Sequence, residues 1–325
     1  MKRPWALPLV PLYAAGTALR SAGLRLGLER VRKLALPVIS VGSLSAGGAG
    51  KTPFVIALTR LLKREGMSID VLSRGYGRTD NNAAWVRQDG DAQTYGDEPL
   101  LIVREAQVPV YVAVRRWEAG RLAEALASSE LAAHLLDDGF QHRQLHRDVD
   151  IVLVSSEDLA DWLLPAGNRR EALGALKRAT ILAVPRDDDA AVTRLRTMGL
   201  QQPIWRFRRV MSVPELPGPA VAFCGIARPE QFFDGLRRAG FAIAANWAFP
   251  DHHLFTARDV ATLTKTVKET GARSFLTTAK DAVRIGTLVT ELERIAPLYT
   301  AGLTVKFEDE AAVTQWLVSQ IGLLR

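Results

Sequence analysis

Ser45-Ala46-Gly47-Gly48-Ala49-Gly50-Lys51-Thr52 is the segment whose residue types and spacing say most about chemistry. Glycines with accessible backbone N–H groups, followed by Lys-Thr at the opening of a helical pattern, form a cradle in which amides and a helix N-terminus meet phosphate. In that arrangement Lys51 reaches the β- and γ-phosphates of a nucleotide and Thr52 ligates Mg²⁺. The first position of the motif, commonly glycine, is Ser45 here, and Gly47 and Gly48 supply compensating backbone freedom. The bland alternative is a glycine-rich turn with a chance Gly-Lys-Thr. The apolar run 36–41 before the segment and the helical spacing of 52–63 after it speak against that.

Asp137 and Asp138 end the apolar run Leu135-Leu136, where a P-loop fold places its second Mg²⁺-organising carboxylate. Adjacent carboxylates at a strand end repel unless a cation lies beside them, although a surface turn would also tolerate them. Asp97 and Glu98 follow Tyr95-Gly96 at the start of a helical pattern, where capping and the helix dipole account for acids without invoking catalysis. The histidines are His134, His142, His146, His252 and His253, and their spacing matches no zinc pattern. For His252, within Phe249-Pro250-Asp251-His252-His253, the alternative to metal ligation is an imidazole that orients or assists a catalytic carboxylate, and the residues alone leave that open. Arginines gather where loops should follow strands: Arg74 and Arg78, Arg115 and Arg116, Arg169 and Arg170. Ligands of open α/β sheets bind beyond those strand ends, and bidentate guanidinium contacts suit a phosphate-bearing substrate.

The elements that must position these groups alternate. Strands are expected at 36–41, 69–72, 108–114, 134–136, 151–154 and 180–184, with helices over 52–63 and near 97–106, 116–128 and 187–198. Alternation of this kind means βα units and a mostly parallel sheet. The stretch 202–216 changes character, interleaving Ile204, Trp205 and Phe207 with Arg206, Arg208 and Arg209 before a run of prolines, and reads as an extended connector. A second α/β unit follows, with strands at 221–224 and 274–277 and helices near 228–239, 256–270 and 309–320. The expected organisation is an N-terminal segment 1–36, a P-loop domain 37–201, a linker 202–218 and a smaller domain 219–325.

A hydrophobic fraction of 48% and a charged fraction of 24% exclude wholesale disorder. The single cysteine, Cys224, lies in an apolar run and reads as a small core residue, which leaves no intramolecular disulfide. The net charge of +7 is concentrated: Lys2, Arg3, Arg20, Arg25, Arg30, Arg32 and Lys33 face one acid, Glu29, in the first 36 residues. The remaining body is nearly neutral, which disfavours a nucleic-acid partner. Residues 4–19 carry no charge, but Pro4, Pro8 and Pro11 interrupt them and they fall short of the roughly 20 residues of a spanning helix. An interfacial helix, with Trp5 and Tyr13 at the headgroups and arginines on anionic lipid, is the reading adopted. A helix packed on the protein's own surface, a span and a cleaved signal are the alternatives.

Taken in order, Pro37-Val38-Ile39-Ser40-Val41-Gly42, the glycine-rich loop, Leu72-Ser73-Arg74-Gly75-Tyr76-Gly77-Arg78 and Gly96-Asp97-Glu98-Pro99 form the first part of a specific set. Asp137-Asp138-Gly139-Phe140-Gln141-His142, Leu164-Pro165-Ala166-Gly167 with Arg170-Glu171, Asp251-His252-His253 and Thr277-Thr278-Ala279-Lys280-Asp281-Ala282 complete it. Over nearly the whole chain the sequence resembles the tetraacyldisaccharide 4′-kinase family, the lipid A 4′-kinases of Gram-negative bacteria. The resemblance implies transfer of a phosphoryl group from ATP, with Mg²⁺, to the 4′-hydroxyl of an acylated glucosamine disaccharide 1-phosphate. It places that reaction at the cytoplasmic face of the inner membrane. It implies two P-loop-type (RecA-like) α/β domains with mostly parallel sheets, joined by a two-stranded linker, plus the N-terminal membrane-associating helix. The family's base falls on Asp97, its assisting histidine on His252 and its Mg²⁺-organising acids on Asp137 and Asp138. Lys51 and Arg170 are expected beside the transferred phosphoryl group, and Arg74, Tyr76, Arg78, Glu98, Arg115, Arg116 and His142 on the anionic glycolipid. No obligate protein partner is expected. The sequence departs from the family pattern at Ser43, where asparagine is common, and at Asn168. The rival class is a membrane-associated P-loop ATPase switch acting on a protein partner, whose loop can also read Gly-Gly-x-Gly-Lys-Thr. A GTPase would need Asn-Lys-x-Asp, which does not occur.

Overall fold

The computed structural model describes residues 2–127 and 131–324. The first part of the chain runs α1 (Val10–Arg25), β1 (Val38–Ser43), α2 (Lys51–Arg64), β2 (Ser68–Ser73), β3 (Ala84–Trp85), α3 (Ala92–Tyr95), α4 (Asp97–Ala106), β4 (Val110–Val112), α5 (Arg116–Leu126), β5 (Leu131–Asp137), β6 (Val149–Leu153), α6 (Ser156–Ala160), β7 (Ile181–Pro185), α7 (Asp189–Thr197) and β8 (Ile204–Ser212). It continues through β9 (Ala220–Cys224), α8 (Pro229–Arg238), β10 (Ile243–Ala248), α9 (Ala257–Thr270), β11 (Ser274–Thr278), α10 (Ala279–Ile285), α11 (Val289–Glu293), β12 (Leu298–Phe307) and α12 (Glu310–Leu324). The helix expected near 116–128 stops at Leu126, and Ser128 lies outside the described residues, as do Met1 and Arg325.

The strands form one sheet in the order β10-β9-β11-β12-β8-β7-β6-β1-β5-β2-β4-β3. β1 is buried at all six positions, as a central parallel strand covered on both faces must be. Pairing is parallel on both sides of the molecule, apart from the two-residue edge strand β3. The two parallel regions meet at one antiparallel seam, where β12 runs against β8 from Gly302↔Ser212 to Phe307↔Phe207. Phe54 of α2 packs edge-on against Phe207 and Phe307, at 5.3 and 5.1 Å between ring centroids, and Trp205 stands between Phe307 and Trp316 of α12. Each such edge-to-face pair adds about 0.5–1.5 kcal/mol beyond its buried area, so α2, the helix behind the phosphate loop, is tied to the seam.

The extended reading of 202–216 is met by β8. Its partner strand β12, the edge strand β10 and the helix α10 fall where no element was expected from the sequence. α1, preceded by a 3₁₀ turn over Pro4–Leu9, is tethered by the Arg3 N–H donating to Ala166 O at 2.6 Å and the Tyr13 hydroxyl donating to Arg170 O at 3.0 Å. Trp5, Leu12 and Leu19 on this segment are 77%, 75% and 73% exposed. Among the described residues no helix is long and apolar enough to cross a membrane.

Candidate active site

The carboxyl ends of β1, β2 and β5 open into a cleft of about 2250 Å³ whose far wall is built from β8, β12 and the loops after β9 and β11. Along its floor, Gly47 holds φ of 70°, Gly48 φ of 66° and Gly50 φ of 78°. Glycine adopts such left-handed values without steric cost. Ser45 needs no such freedom: it is buried, it forms an antiparallel bridge with Arg169, and it does not reach the cleft wall. That explains why a side chain is tolerated at the motif's first position. Lys51 and Thr52 open α2, with the Lys51 ammonium 3.4 Å from Ser43 Oγ and 3.5 Å from Asp138 Oδ1.

Asp137 and Asp138 differ in what they offer. Asp138 accepts both arms of Arg170, at 2.7 and 2.8 Å, so each of its oxygens is engaged. Burial pushes its carboxyl up, but Lys51 and Arg170 outweigh that and hold it well below the usual range. Asp137 has Ser73 Oγ 3.3 Å from Oδ2, while its Oδ1 is buried without a partner. Burial, then Glu98 and Asp138, raise its carboxyl to about 7. A buried carboxylate oxygen with no protein donor, beside the first turn of a phosphate-loop helix, fits a hard divalent cation. Among the described residues no three His, Cys, Asp or Glu side chains converge as a metal cluster.

Arg74, Tyr76, Glu98, Arg115, Arg116 and His142 all line the cleft, and Arg20 from α1 joins them. His142 is held neutral, its imidazole lowered to about 3 by burial and then by the charges of Arg116 and Arg147. Burial also lowers the Arg116 guanidinium to about 10. Arg78 does not join the group. It folds back over Gly75, where an added Cβ would stand 2.6 Å from its Cδ, and its Nε and Nη2 are buried without hydrogen-bond partners.

Asp97 is the first residue of α4 and 4% exposed, and it sits behind the cleft wall. Its Oδ1 accepts the Glu98 N–H at 2.8 Å, so it does serve the helix start. Its Oδ2 meets the opposite side of the molecule: His252 Nδ1 at 3.1 Å, Arg284 Nε at 2.6 Å and Lys280 Nζ at 3.7 Å. Burial pushes this carboxyl up, yet the His252 hydrogen bond, Lys280 and Arg284 carry it well below the usual range. An ionised carboxylate only accepts, so in the neutral imidazole Nδ1 carries the proton and Nε2 keeps its lone pair. His252 is on the cleft wall, with its ring 5.0 Å from that of Tyr76.

Several cations here were not singled out in the sequence. Lys280 pairs with Glu98 at 2.9 Å, and Arg228 lies over Gly48, where its Nε would be 2.7 Å from an added Cβ. Arg228 also pairs with Glu157 of α6 at 2.7 Å. Lys280 stands in a motif that carried the resemblance. Arg228 had no signal beyond its charge.

Comparison with known proteins identifies what the chain is similar to. Residues 3–322 match the family described as Tetraacyldisaccharide-1-P 4′-kinase. A tetraacyldisaccharide 4′-kinase of Koribacter versatilis is 41% identical over 324 residues, covering 97% of this chain and 98% of the relative. One from Leptothrix cholodnii is 37% identical over 294 residues, covering 86% and 82%. The crystal structure of LpxK from Aquifex aeolicus in complex with ATP superposes with a TM-score of 0.76 at 30% identity, covering 97% of this chain and 98% of that one. The rival reading as an ATPase switch finds no support among these matches. The chain belongs to the tetraacyldisaccharide-1-P 4′-kinase family.

Proposed function

We propose that the two ends of this cleft divide the labour of a lipid kinase: a phosphate end at Ser45–Thr52 and a proton-accepting end at Asp97 and His252. As a family member the protein transfers a phosphoryl group from ATP to the 4′-hydroxyl of a tetraacyldisaccharide 1-phosphate, a step of lipid A biosynthesis. Backbone amides from Gly47 to Thr52 hold the phosphates, whereas Ser45 is set back from the cleft and the Ala46 N–H is committed to Asn168 O at 2.8 Å; Lys51 neutralises charge that grows on the transferred group. Thr52 and Asp137 are the side chains that would hold Mg²⁺, which would supply further neutralisation of the phosphate charge. Asp138 keeps Lys51 and Arg170 in place at this corner and adds negative charge toward the cation. Arg74, Arg115 and Arg116 meet the anionic groups of the acceptor, while Tyr76, Glu98 and neutral His142 hydrogen-bond its sugar. Arg78 contributes from behind, by holding the Arg74–Tyr76 turn.

The observation that carries the reading is the 3.1 Å contact between His252 Nδ1 and Asp97 Oδ2, which joins a phosphate-loop fold to a proton-accepting pair. With Asp97 behind the wall and His252 on it, the hydroxyl proton is taken by the pair as a unit, through the imidazole. The regions 37–201 and 219–325, joined through 202–218, act as domains whose approach assembles this pair. The decisive experiment is transfer of labelled phosphate from ATP to a lipid disaccharide 1-phosphate, compared with ATP loss when the acceptor is omitted. Acceptor-dependent labelling is expected, and equal ATP loss without acceptor would refute the reading.

The site of action is the cytoplasmic face of the inner membrane, with the protein held peripherally by residues 1–36 and with neither nucleic acid nor an obligate protein partner. Exposed Trp5, Leu12 and Leu19 next to a basic stretch support this. Binding to vesicles should rise with anionic lipid and fall with salt; vesicle binding unchanged after Trp5→Ser and Leu12→Ser would contradict it.

A further inference from the structure

The segment Thr277–Ala282 carries part of the resemblance, yet the division of labour above leaves it idle. The helix it opens, α10, brings Arg284 to the back of the cleft. The Thr278 hydroxyl donates to Asp281 Oδ2 at 2.6 Å, which fixes that carboxylate. Asp281 Oδ1 then accepts from Arg284 Nη1 at 2.9 Å and from the Gly225 N–H at 3.0 Å. Nη1 also donates to the Gly225 carbonyl at 2.5 Å, so one edge of the guanidinium is locked within its own side of the molecule. The other edge crosses to α4, with both Nε and Nη2 2.6 Å from Asp97 Oδ2.

The Gly225 carbonyl has a second donor, the backbone N–H of His252 at 3.2 Å. His252 itself holds φ of 59°. A non-glycine residue keeps such a left-handed value only where its surroundings over-determine it. Glycine at 225 permits this, because an added Cβ would stand 3.0 Å from Pro250 O and 3.1 Å from His253 Cβ. One buried guanidinium therefore reaches both members of the pair, Asp97 directly and His252 through the shared carbonyl.

We propose that Arg284, braced by Asp281, is the positioning residue of the Asp97–His252 pair. It aims the carboxylate at the imidazole and keys the His252 loop to the same carbonyl, so the pair is in register only when α10 lies against α4. Arg284 is absent from the cleft wall and acts through Asp97 and Gly225 rather than on substrate. The inference rests on the reading of Asp97 and His252 as the proton-accepting pair. A plain structural role would instead hold the two regions together with no selective effect on turnover.

The test is Arg284→Lys, which keeps the charge but replaces a planar fork by a single ammonium that cannot hold Asp97 and the Gly225 carbonyl in the same geometry. Transfer from ATP to a lipid disaccharide 1-phosphate should show kcat lowered about 10–100-fold, with KM for both substrates within about threefold of wild type. In a His252→Ala background the same change should cost less than about threefold, because no imidazole is left to aim. Should Arg284→Lys melt early, Asp281→Asn loosens the brace more gently and should lower kcat about 3–10-fold with the same split. Two results would overturn the positioning role: kcat within about threefold of wild type while Asp97→Asn and His252→Ala are strongly impaired, or a loss undiminished in the His252→Ala background. If Asp97→Asn and His252→Ala themselves transfer at near wild-type rates, the underlying pair fails and the inference with it.

Discussion

Asp138 and Asp97 are both carboxylates that neighbouring donors hold well below their usual range against the opposing effect of burial, but the donors come from different places. Lys51 and Arg170, which hold Asp138, belong to the same side of the seam as Asp138 itself. His252, Lys280 and Arg284, which hold Asp97, all come from beyond the β8–β12 seam. Asp138 is therefore held from within one region of the chain, whereas Asp97 is held only where two regions meet. On the proposed reading, the acceptor chemistry is acquired only when the two regions come together.

A large effect is expected at the Lys51 end of the cleft. Lys51→Ala removes the charge beside the transferred phosphoryl group and should lower turnover about 10³-fold. The melting temperature should fall only modestly, because Arg170 still holds the Asp138 carboxylate. Near-normal transfer would mean that the phosphate end is not where ATP reacts.

The legibility of the sequence follows the same division. β1, the glycine loop and α2 were readable because a buried strand, left-handed glycines and a helical period lie consecutively in the chain. Asp97 and Arg284 are 187 positions apart, and no local period announces their contact. β12 escaped notice because its exposure alternates irregularly along Leu298–Phe307, and β10 because an edge strand exposing Ala244, Asn246, Trp247 and Ala248 lacks a clean apolar face. Asp97 was ambiguous for a physical reason: one of its oxygens does serve the helix start while the other faces His252.

A smaller effect sharpens the contrast on the acceptor side. His142 has its folded pKa depressed to about 3, so the folded state binds fewer protons there than the unfolded chain does below about pH 6.5. The stability it contributes is present above that pH and is lost as pH falls toward 3. His142→Gln should flatten the acid side of the melting profile between about pH 6.5 and 5 by on the order of 1 kcal/mol, allowing for partial exposure. A profile identical to wild type would show that this imidazole is not held neutral by its surroundings.

Asp97→Asn tests the central claim most directly, because it keeps the shape and the helix-start contact while removing the charge that faces His252. Measured at saturating ATP, Mg²⁺ and lipid acceptor, turnover should fall about 10²–10⁴-fold with ATP affinity nearly unchanged, and the melting temperature should drop because the buried Arg284 loses its charged partner. Were Asp97 only a first-turn acid, the change would cost no more than about 0.3–1 kcal/mol of stability and leave catalysis alone. Turnover within a few-fold of wild type would contradict the account of a proton-accepting pair assembled across the seam.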